Sequence, residues 1–161
     1  MKRIIKGILR RFKKYFFIKE DVYNFNKSNP LGGNGERVDI QFQTSLNFDK
    51  LDIYQKNHLT RYEFAKELID VGAICGDFAC GTGYGSVLIS DKASKVIGAD
   101  IDALGVSAIQ ERYKEKANVS FLNENLLNLN FSNLFDTILS FETIEHFEEE
   151  DIKLLLKIFA N

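Results

Sequence analysis

Ten residues in the middle of the chain have the spacing of a ligand-binding turn between a strand and a helix. They read GDFACGTGYG at positions 76–85 and include Asp77, Gly81 and Gly83. A turn of such small residues lets a ligand approach the backbone, because no Cβ stands in its way. Asp100 closes the next apolar segment, and its carboxylate can accept hydrogen bonds from both hydroxyls of a ribose. The spacing therefore predicts a pocket for an adenosine-containing cofactor at the carboxyl edge of a parallel sheet.

The charge and composition of this turn favour one cofactor class over another. Dinucleotide enzymes use three glycines and a helix N-terminus to bind a pyrophosphate, whereas Ala79 stands here in place of the first glycine. The Asp77 carboxylate at the strand end repels a pyrophosphate and suits a cationic ligand. S-adenosylmethionine carries an ammonium and a sulfonium and has no phosphate. The turn therefore favours S-adenosylmethionine, and an NAD-linked Rossmann oxidoreductase is the alternative that it disfavours.

With these residues the chain resembles the class I S-adenosylmethionine-dependent methyltransferases, in the branch whose first motif reads ACGTGYG. Further segments at 119–126 and 135–147 are similar to the third-strand and fourth-strand motifs of that family. The resemblance implies cofactor contacts by Asp77, Ala79, Gly81, Gly83, Asp100, Ile101, Asn125 and Leu126. The family usually has Asp where this chain has Asn125, and an amide oxygen can still accept a hydrogen bond from the adenine amino group. We therefore expect a weaker adenine contact at this position.

The resemblance continues in the helix before the first motif, where His58, Arg61, Tyr62 and Ala65 match a pattern of the same branch. It implies that Arg61 meets the methionine carboxylate and that Tyr62 closes over the cofactor. The alternative interpretation leaves Tyr62 in the core and Arg61 solvated. Enzymes of this branch often act in pathways for surface glycans. The resemblance therefore implies O- or N-methylation of a small molecule or a surface-glycan precursor.

His146 is the candidate general base for methyl transfer, because it follows the fourth predicted strand at the edge where ligands bind in such sheets. The alternative is that His146 only caps or orients the loop. Glu142, Glu145 and His146 also resemble a metal-binding cluster of some O-methyltransferases. One helical turn would place the three on one side, where they could hold a divalent metal ion. Many relatives with similar residues bind no metal, so these residues are weak metal candidates.

Composition restricts the compartment and the partners. The 161 residues are 45% hydrophobic, which is enough for one domain with a core. Residues 1–19 carry eight Lys or Arg and no acidic residue, so the rest of the chain sums to −10 against a total of −2. An acidic domain is a poor partner for nucleic acid. Cys75 and Cys80 are too few for a disulfide framework and lack the spacing of a metal knuckle, which indicates a reducing cytoplasm.

The N-terminal third divides into two parts. Apolar and basic residues alternate at helical spacing through residues 1–19, which predicts a basic amphipathic helix. Such a helix can lie on an anionic membrane surface as a peripheral anchor, or it can dock on the domain with its basic face solvated. Residues 20–54 contain Pro30 and a glycine cluster and are predicted to be a linker or loop. Residues 55–161 are the predicted cofactor-binding half of the methyltransferase domain.

Strand and helix patterns alternate from residue 55 onward, which predicts an α/β fold with a doubly wound, parallel, Rossmann-like sheet. The predicted helices cover 55–71, 84–92, 103–114 and 149–159, and the predicted strands 73–79, 95–100, 118–123 and 135–141. The family's sheet has seven strands, whereas this chain ends at Asn161 after the fourth. We therefore expect a C-terminally incomplete sheet with an exposed edge. A partner chain that completes the sheet, and a truncated, catalytically inactive remnant, are the two resulting hypotheses.

Overall fold

A computed structural model describes residues 38–40 and 48–160 of the chain. The predicted basic helix at 1–19 and most of the predicted linker lie outside the described residues. Contact between the basic helix and a membrane therefore stays a prediction. Within the described ranges, no helix combines the length and apolar character that crossing a bilayer requires.

Helices and strands alternate as the sequence predicts. The helices are α1 (Ile53–Leu68), α2 (Tyr84–Ile89), α3 (Ala103–Arg112) and α4 (Glu149–Phe159). The strands are β1 (Ile74–Phe78), β2 (Lys95–Asp100), β3 (Val119–Asn123) and β4 (Thr137–Leu139). Short 3-10 turns lie at Phe48–Lys50, Leu126–Asn128 and Ile144–His146.

The four strands form one parallel sheet in the order β3-β2-β1-β4, which confirms the predicted fold class. Helices cover both faces. Cys75 and Val96 pair in register and join the apolar cluster under α1 and α2, while Phe78 and Ala99 join the cluster under α4. The chain winds from β1 outward to β3 and then returns to the other side of β1. The strand order therefore reverses between β1 and β4, and ligands of such sheets bind outside the carboxyl ends of the strands at that point.

The folded domain begins before residue 55, which corrects the predicted linker boundary. Helix α1 begins at Ile53 because Asp52 caps it, and the Asp52 carboxylate accepts a hydrogen bond from the Gln55 N–H at 2.8 Å. Further upstream, the Ile40 side chain is fully buried in the core, and the Val38 carbonyl accepts a hydrogen bond from the Thr82 hydroxyl at 2.8 Å. Residues 38–40 are therefore part of the packed domain.

Strand β4 lies at one edge of the sheet among the described residues, as predicted. It has three residues, Thr137, Ile138 and Leu139, and all three pair with β1. A groove of about 490 Å³ runs beside it, lined by Phe135, Asp136, Thr137, Ile138, Ser140, Ile144, Leu156 and Phe159. A partner chain at this edge stays a prediction.

The contact between α1 and α2 depends on the absence of a side chain at Gly85. A Cβ placed there would lie 2.1 Å from the Tyr62 ring, which is itself buried between Tyr84 and Phe141. Gly85→Ala is therefore expected to lower the free energy of unfolding by about 1–3 kcal/mol, because the rigid ring must shift. Urea unfolding of the variant and the wild type measures this difference. An unchanged midpoint and slope would contradict the close packing of the Tyr62 ring against Gly85.

Candidate functional site

The turn after β1 is held in an unusual backbone conformation. Ala79, Gly81 and Gly83 all have positive φ angles, at 61°, 55° and 72°. A Cβ at Gly81 would meet no protein atom within 4 Å, whereas a Cβ at Gly83 would lie 2.9 Å from the Phe121 ring. Gly81 therefore faces open space where a ligand can approach the backbone, while Gly83 is required for packing between the turn and β3.

Asp100 is tied directly to this turn. The side chain is 7% exposed, and its Oδ2 accepts a hydrogen bond from the Gly81 N–H at 2.8 Å. Its Oδ1 accepts a hydrogen bond from the Asp102 N–H at 3.0 Å. An ionised carboxylate has about four acceptor positions, so both oxygens can accept further hydrogen bonds. The structure thus places the predicted ribose acceptor against the open glycine of the turn.

Asp77 lies beneath the turn and does not line its open side. The side chain is fully buried, and its oxygens accept hydrogen bonds from the Tyr62 hydroxyl at 2.9 Å and the Ser86 hydroxyl at 2.5 Å. Burial raises the pKa of Asp77 to about 6, and the two hydrogen bonds oppose that rise. Asp77 therefore joins α1, β1 and α2 under the site.

The raised pKa of Asp77 makes stability depend on pH. Between about pH 4 and pH 6 the folded state keeps this proton while the unfolded chain loses it, so this group lowers stability as the pH rises. Between about pH 4 and pH 6, this group lowers the free energy of unfolding of the wild type by up to about 3 kcal/mol, since one pKa unit corresponds to about 1.4 kcal/mol. In Asp77→Asn this decrease is expected to be absent, because the amide does not titrate. Urea unfolding at a series of pH values tests this. Identical pH profiles for the variant and the wild type would contradict the assignment.

Helix α1 brings Arg61 and Tyr62 to the site in two different ways. Arg61 Nη2 lies 2.9 Å from Glu142 Oε1, in the segment after β4. The prediction that Tyr62 closes over a ligand is wrong, because its ring packs against Gly85 of α2 and its hydroxyl donates to Asp77. Tyr62 is a core residue, as the alternative interpretation holds. Arg61 is only partly solvated, because its ion pair connects α1 to the segment after β4.

The predicted metal cluster does not form. Glu142 lies before the 3-10 turn at Ile144–His146, has a φ of 52° and pairs with Arg61, so it does not share a helical face with Glu145 and His146. Among the residues that the structure describes, no group of three His, Cys, Asp or Glu side chains is placed to hold a metal ion. His146 is exposed at the end of that turn, on the carboxyl side of β4.

The side of the site near β3 holds the remaining candidates. Ile101 is 69% exposed directly after Asp100. Asn125 begins the 3-10 turn at Leu126–Asn128, and its Oδ1 accepts a hydrogen bond from the Leu127 N–H at 3.0 Å. The Leu126 side chain is buried in the core, so only its backbone is placed to meet a ligand.

Sequence reasoning missed two residues of the site, Ser86 and Tyr84. Ser86 is fully buried and donates to Asp77, and Tyr84 is 4% exposed at the start of α2. The sequence signal for Ser86 is a small polar residue within an otherwise apolar helix that follows a buried carboxylate. Tyr84 offers no comparable signal, because an aromatic residue at a helix start is ordinary core in most proteins.

The parallel sheet, the open turn at the reversal of strand order and the carboxylate after β2 are together typical of an α/β protein of Rossmann-like fold. A family model described as a methyltransferase domain matches residues 76–161. The chain therefore belongs to the class I S-adenosylmethionine-dependent methyltransferase family, and the NAD-linked alternative is not supported. A probable S-adenosylmethionine-dependent methyltransferase of Mycolicibacterium smegmatis is 38% identical over 68 residues, which are 42% of this chain and 25% of that protein.

Solved structures share the fold at low sequence identity. The N-methyltransferase NodS of Bradyrhizobium japonicum WM9, in complex with S-adenosyl-L-homocysteine, has a TM-score of 0.62 at 12% identity, over 69% of this chain and 57% of that chain. The magnesium protoporphyrin IX methyltransferase of Synechocystis PCC 6803 with bound SAM has a TM-score of 0.56 at 20% identity, over 69% and 59%. The chain therefore spans between a quarter and three fifths of the length of these relatives.

Proposed function

We propose that this chain binds S-adenosylmethionine as the cofactor-binding part of a methyltransferase. The observation that carries the proposal is the hydrogen bond of 2.8 Å between Asp100 and the Gly81 N–H, beside space that a Cβ at Gly81 would enter without meeting protein. The Asp100 carboxylate, which can accept hydrogen bonds from a ribose, therefore lies next to the accessible backbone of Gly81, at the point where the strand order reverses. This arrangement fits an adenosine group, because the carboxylate can bind the ribose hydroxyls while the ligand contacts the backbone of the turn.

The remaining cofactor contacts follow from where each side chain lies. The exposed Ile101 side chain gives the adenine ring an apolar surface next to Asp100. Asn125 and the backbone of Leu126 lie after β3, where they can bind the polar edge of the ring. Arg61, with its charge at the carboxyl side of β4, is assigned to the methionine end. Asp77 has an indirect role, because its hydrogen bonds to Tyr62 and Ser86 hold α1 and α2 against the turn.

The reaction proposed for the complete protein is transfer of a methyl group to an oxygen or nitrogen of a small molecule or a surface-glycan precursor. Bound S-adenosylmethionine would supply an electrophilic methyl group. The chain's own contribution is to orient the reactants and to remove the acceptor's proton, for which His146 is the candidate base. Its exposed position after β4 supports this role, since an acceptor can reach it there. The resemblance to the ACGTGYG branch supports the glycan precursor.

Calorimetric titration of the 161-residue chain with S-adenosylhomocysteine tests the proposal. We expect saturable binding with one ligand per chain, and no heat from NADH under the same conditions. Transfer of tritium from labelled S-adenosylmethionine to candidate glycan precursors then tests turnover, with His146→Ala as the variant that loses it. Absence of S-adenosylhomocysteine binding by a chain that circular dichroism shows to be folded would refute the cofactor assignment.

A further inference from the structure

Residues 38–40 connect the turn after β1 to two helices of the domain, and the proposed cofactor contacts do not use them. The Val38 carbonyl accepts a hydrogen bond from the Thr82 hydroxyl at 2.8 Å, and Thr82 stands between Gly81 and Gly83. Thr82 is 4% exposed, so its side chain has almost no surface for a ligand to contact. The segment is therefore attached to the turn through a side chain that faces the protein.

An ion pair holds the next residue of the segment. Asp39 Oδ1 lies 2.7 Å from Arg112 Nη1 in the last turn of α3, and the Asp39 side chain is only 4% exposed. The Asp39 carbonyl also accepts a hydrogen bond from the Gln55 side chain of α1 at 2.8 Å. Apolar residues of similar volume often stabilise a protein as well as a buried ion pair does. The pair therefore indicates that the position of the segment matters, and not only its burial.

The third residue of the segment anchors it in the core. The Ile40 side chain is fully buried, in the apolar cluster that also contains Leu59 of α1 and Ile89 of α2. Residues 38–40 thus contact the turn, both neighbouring helices and α3 within three consecutive positions. Such a segment can transmit the packing of these helices to the turn.

The turn has little in its own sequence that restricts its backbone. Gly81 and Gly83 lack a Cβ, and they adopt positive φ angles of 55° and 72°. Ordering a free backbone on binding costs conformational entropy, and this cost reduces affinity. The hydrogen bond of Thr82 lies between the two glycines. It therefore restricts the backbone next to the Gly81 N–H that donates to Asp100.

We propose that residues 38–40 hold the turn in the conformation that binds the cofactor, an inference that rests on the proposed function. Arg112 fixes the segment through its ion pair, and the segment fixes Thr82. Thr82 in turn holds the adjacent Gly81 in place. Thr82 and Arg112 are therefore positioning residues, which act through the turn. By linkage, a bound cofactor stabilises the attached segment by the same free energy with which the segment favours binding.

Calorimetric titration of three variants with S-adenosylhomocysteine tests this inference. Thr82→Val keeps the shape of the side chain and loses the hydroxyl, so we expect binding to weaken by about threefold to tenfold, as one lost hydrogen bond between neutral groups implies. Thr82→Ser keeps the hydroxyl and should retain the affinity of the wild type. Arg112→Gln should show a loss similar to that of Thr82→Val. The double variant should lose no more than either single variant, because both changes release the same segment.

Asn118→Ala is the matched control for a general loss of stability. Asn118 precedes β3 at the amino ends of the strands, away from the turn, and its Nδ2 donates to the Ser90 and Ala93 carbonyls at 2.8 Å and 3.2 Å. The variant should have a lower melting temperature and an unchanged affinity for S-adenosylhomocysteine. A loss of affinity equal to that of Thr82→Val would overturn the inference.

Hydrogen exchange measures the reciprocal effect, which a merely structural role would not produce. We expect saturating S-adenosylhomocysteine to slow exchange in a peptide that contains residues 38–40 in the wild type and in Thr82→Ser, and to have no such effect in Thr82→Val. Absence of this protection in the wild type, or wild-type affinity in Thr82→Val or Arg112→Gln, would overturn the inference and leave the proposed function intact. Failure of the wild type to bind S-adenosylhomocysteine would overturn both.

Discussion

Gly81→Val is expected to weaken cofactor binding by about tenfold to a hundredfold. The Cβ of Gly81 would enter space that holds no protein atom within 4 Å, so the added isopropyl group would occupy the region through which a ligand reaches the turn. Overpacking of this kind costs about 1–3 kcal/mol, or about tenfold to a hundredfold in affinity, and the β-branched side chain adds the most bulk next to the backbone. Calorimetric titration with S-adenosylhomocysteine measures the loss.

Gly72→Val is the matched control for this variant. Gly72 also has a positive φ angle, 86°, and a Cβ there would also meet no protein atom within 4 Å. It lies in the turn before β1, at the amino end of that strand, whereas Gly81 lies in the turn after its carboxyl end. Both variants should lose a similar amount of stability from the left-handed backbone, whereas Gly72→Val should keep its affinity. Equal affinity in the two variants would remove Gly81 from the site.

Asp100→Asn is expected to weaken cofactor binding by about tenfold to a hundredfold, because hydrogen bonds to a charged group contribute about 1.5–3 kcal/mol. The amide has a single acceptor oxygen, and that oxygen cannot serve the Gly81 and Asp102 N–H groups and two ribose hydroxyls together. Titration with 5′-methylthioadenosine should show the same loss as titration with S-adenosylhomocysteine, because both ligands carry the ribose. An equal loss for the two ligands would place Asp100 at the nucleoside that they share.

Asp102→Asn controls for the change in charge near the site. Asp102 caps α3 by accepting a hydrogen bond from the Leu104 N–H at 3.1 Å, and asparagine caps helices equally well. The variant removes one negative charge two residues from Asp100, and its affinity should match that of the wild type. A comparable loss in Asp102→Asn would show that net charge, and not hydrogen bonding by Asp100, controls the affinity.

Much of the fold was predictable because its elements are coded locally. The strand predicted at 95–100 and the helix predicted at 149–159 have the observed bounds, since a buried parallel strand reads as an apolar run and a surface helix shows a repeating apolar face. The apolar pattern predicts a fourth strand at 135–141, whereas the strand covers only Thr137–Leu139. Its apolar residues continue beyond the pairing with β1, which is the only strand beside it among the described residues.

The order of elements, the open turn and the carboxylate after β2 could be predicted from the sequence, because all three depend on neighbouring residues. The direction of each polar side chain follows instead from the packing of separate elements. Asp77 turns inward to Tyr62 and Ser86, and Glu142 leaves the helical face on which its spacing had placed it and pairs with Arg61. The partners in these contacts come from separate elements. Their meeting therefore depends on how α1, β1, α2 and the segment after β4 pack together, which local spacing does not encode.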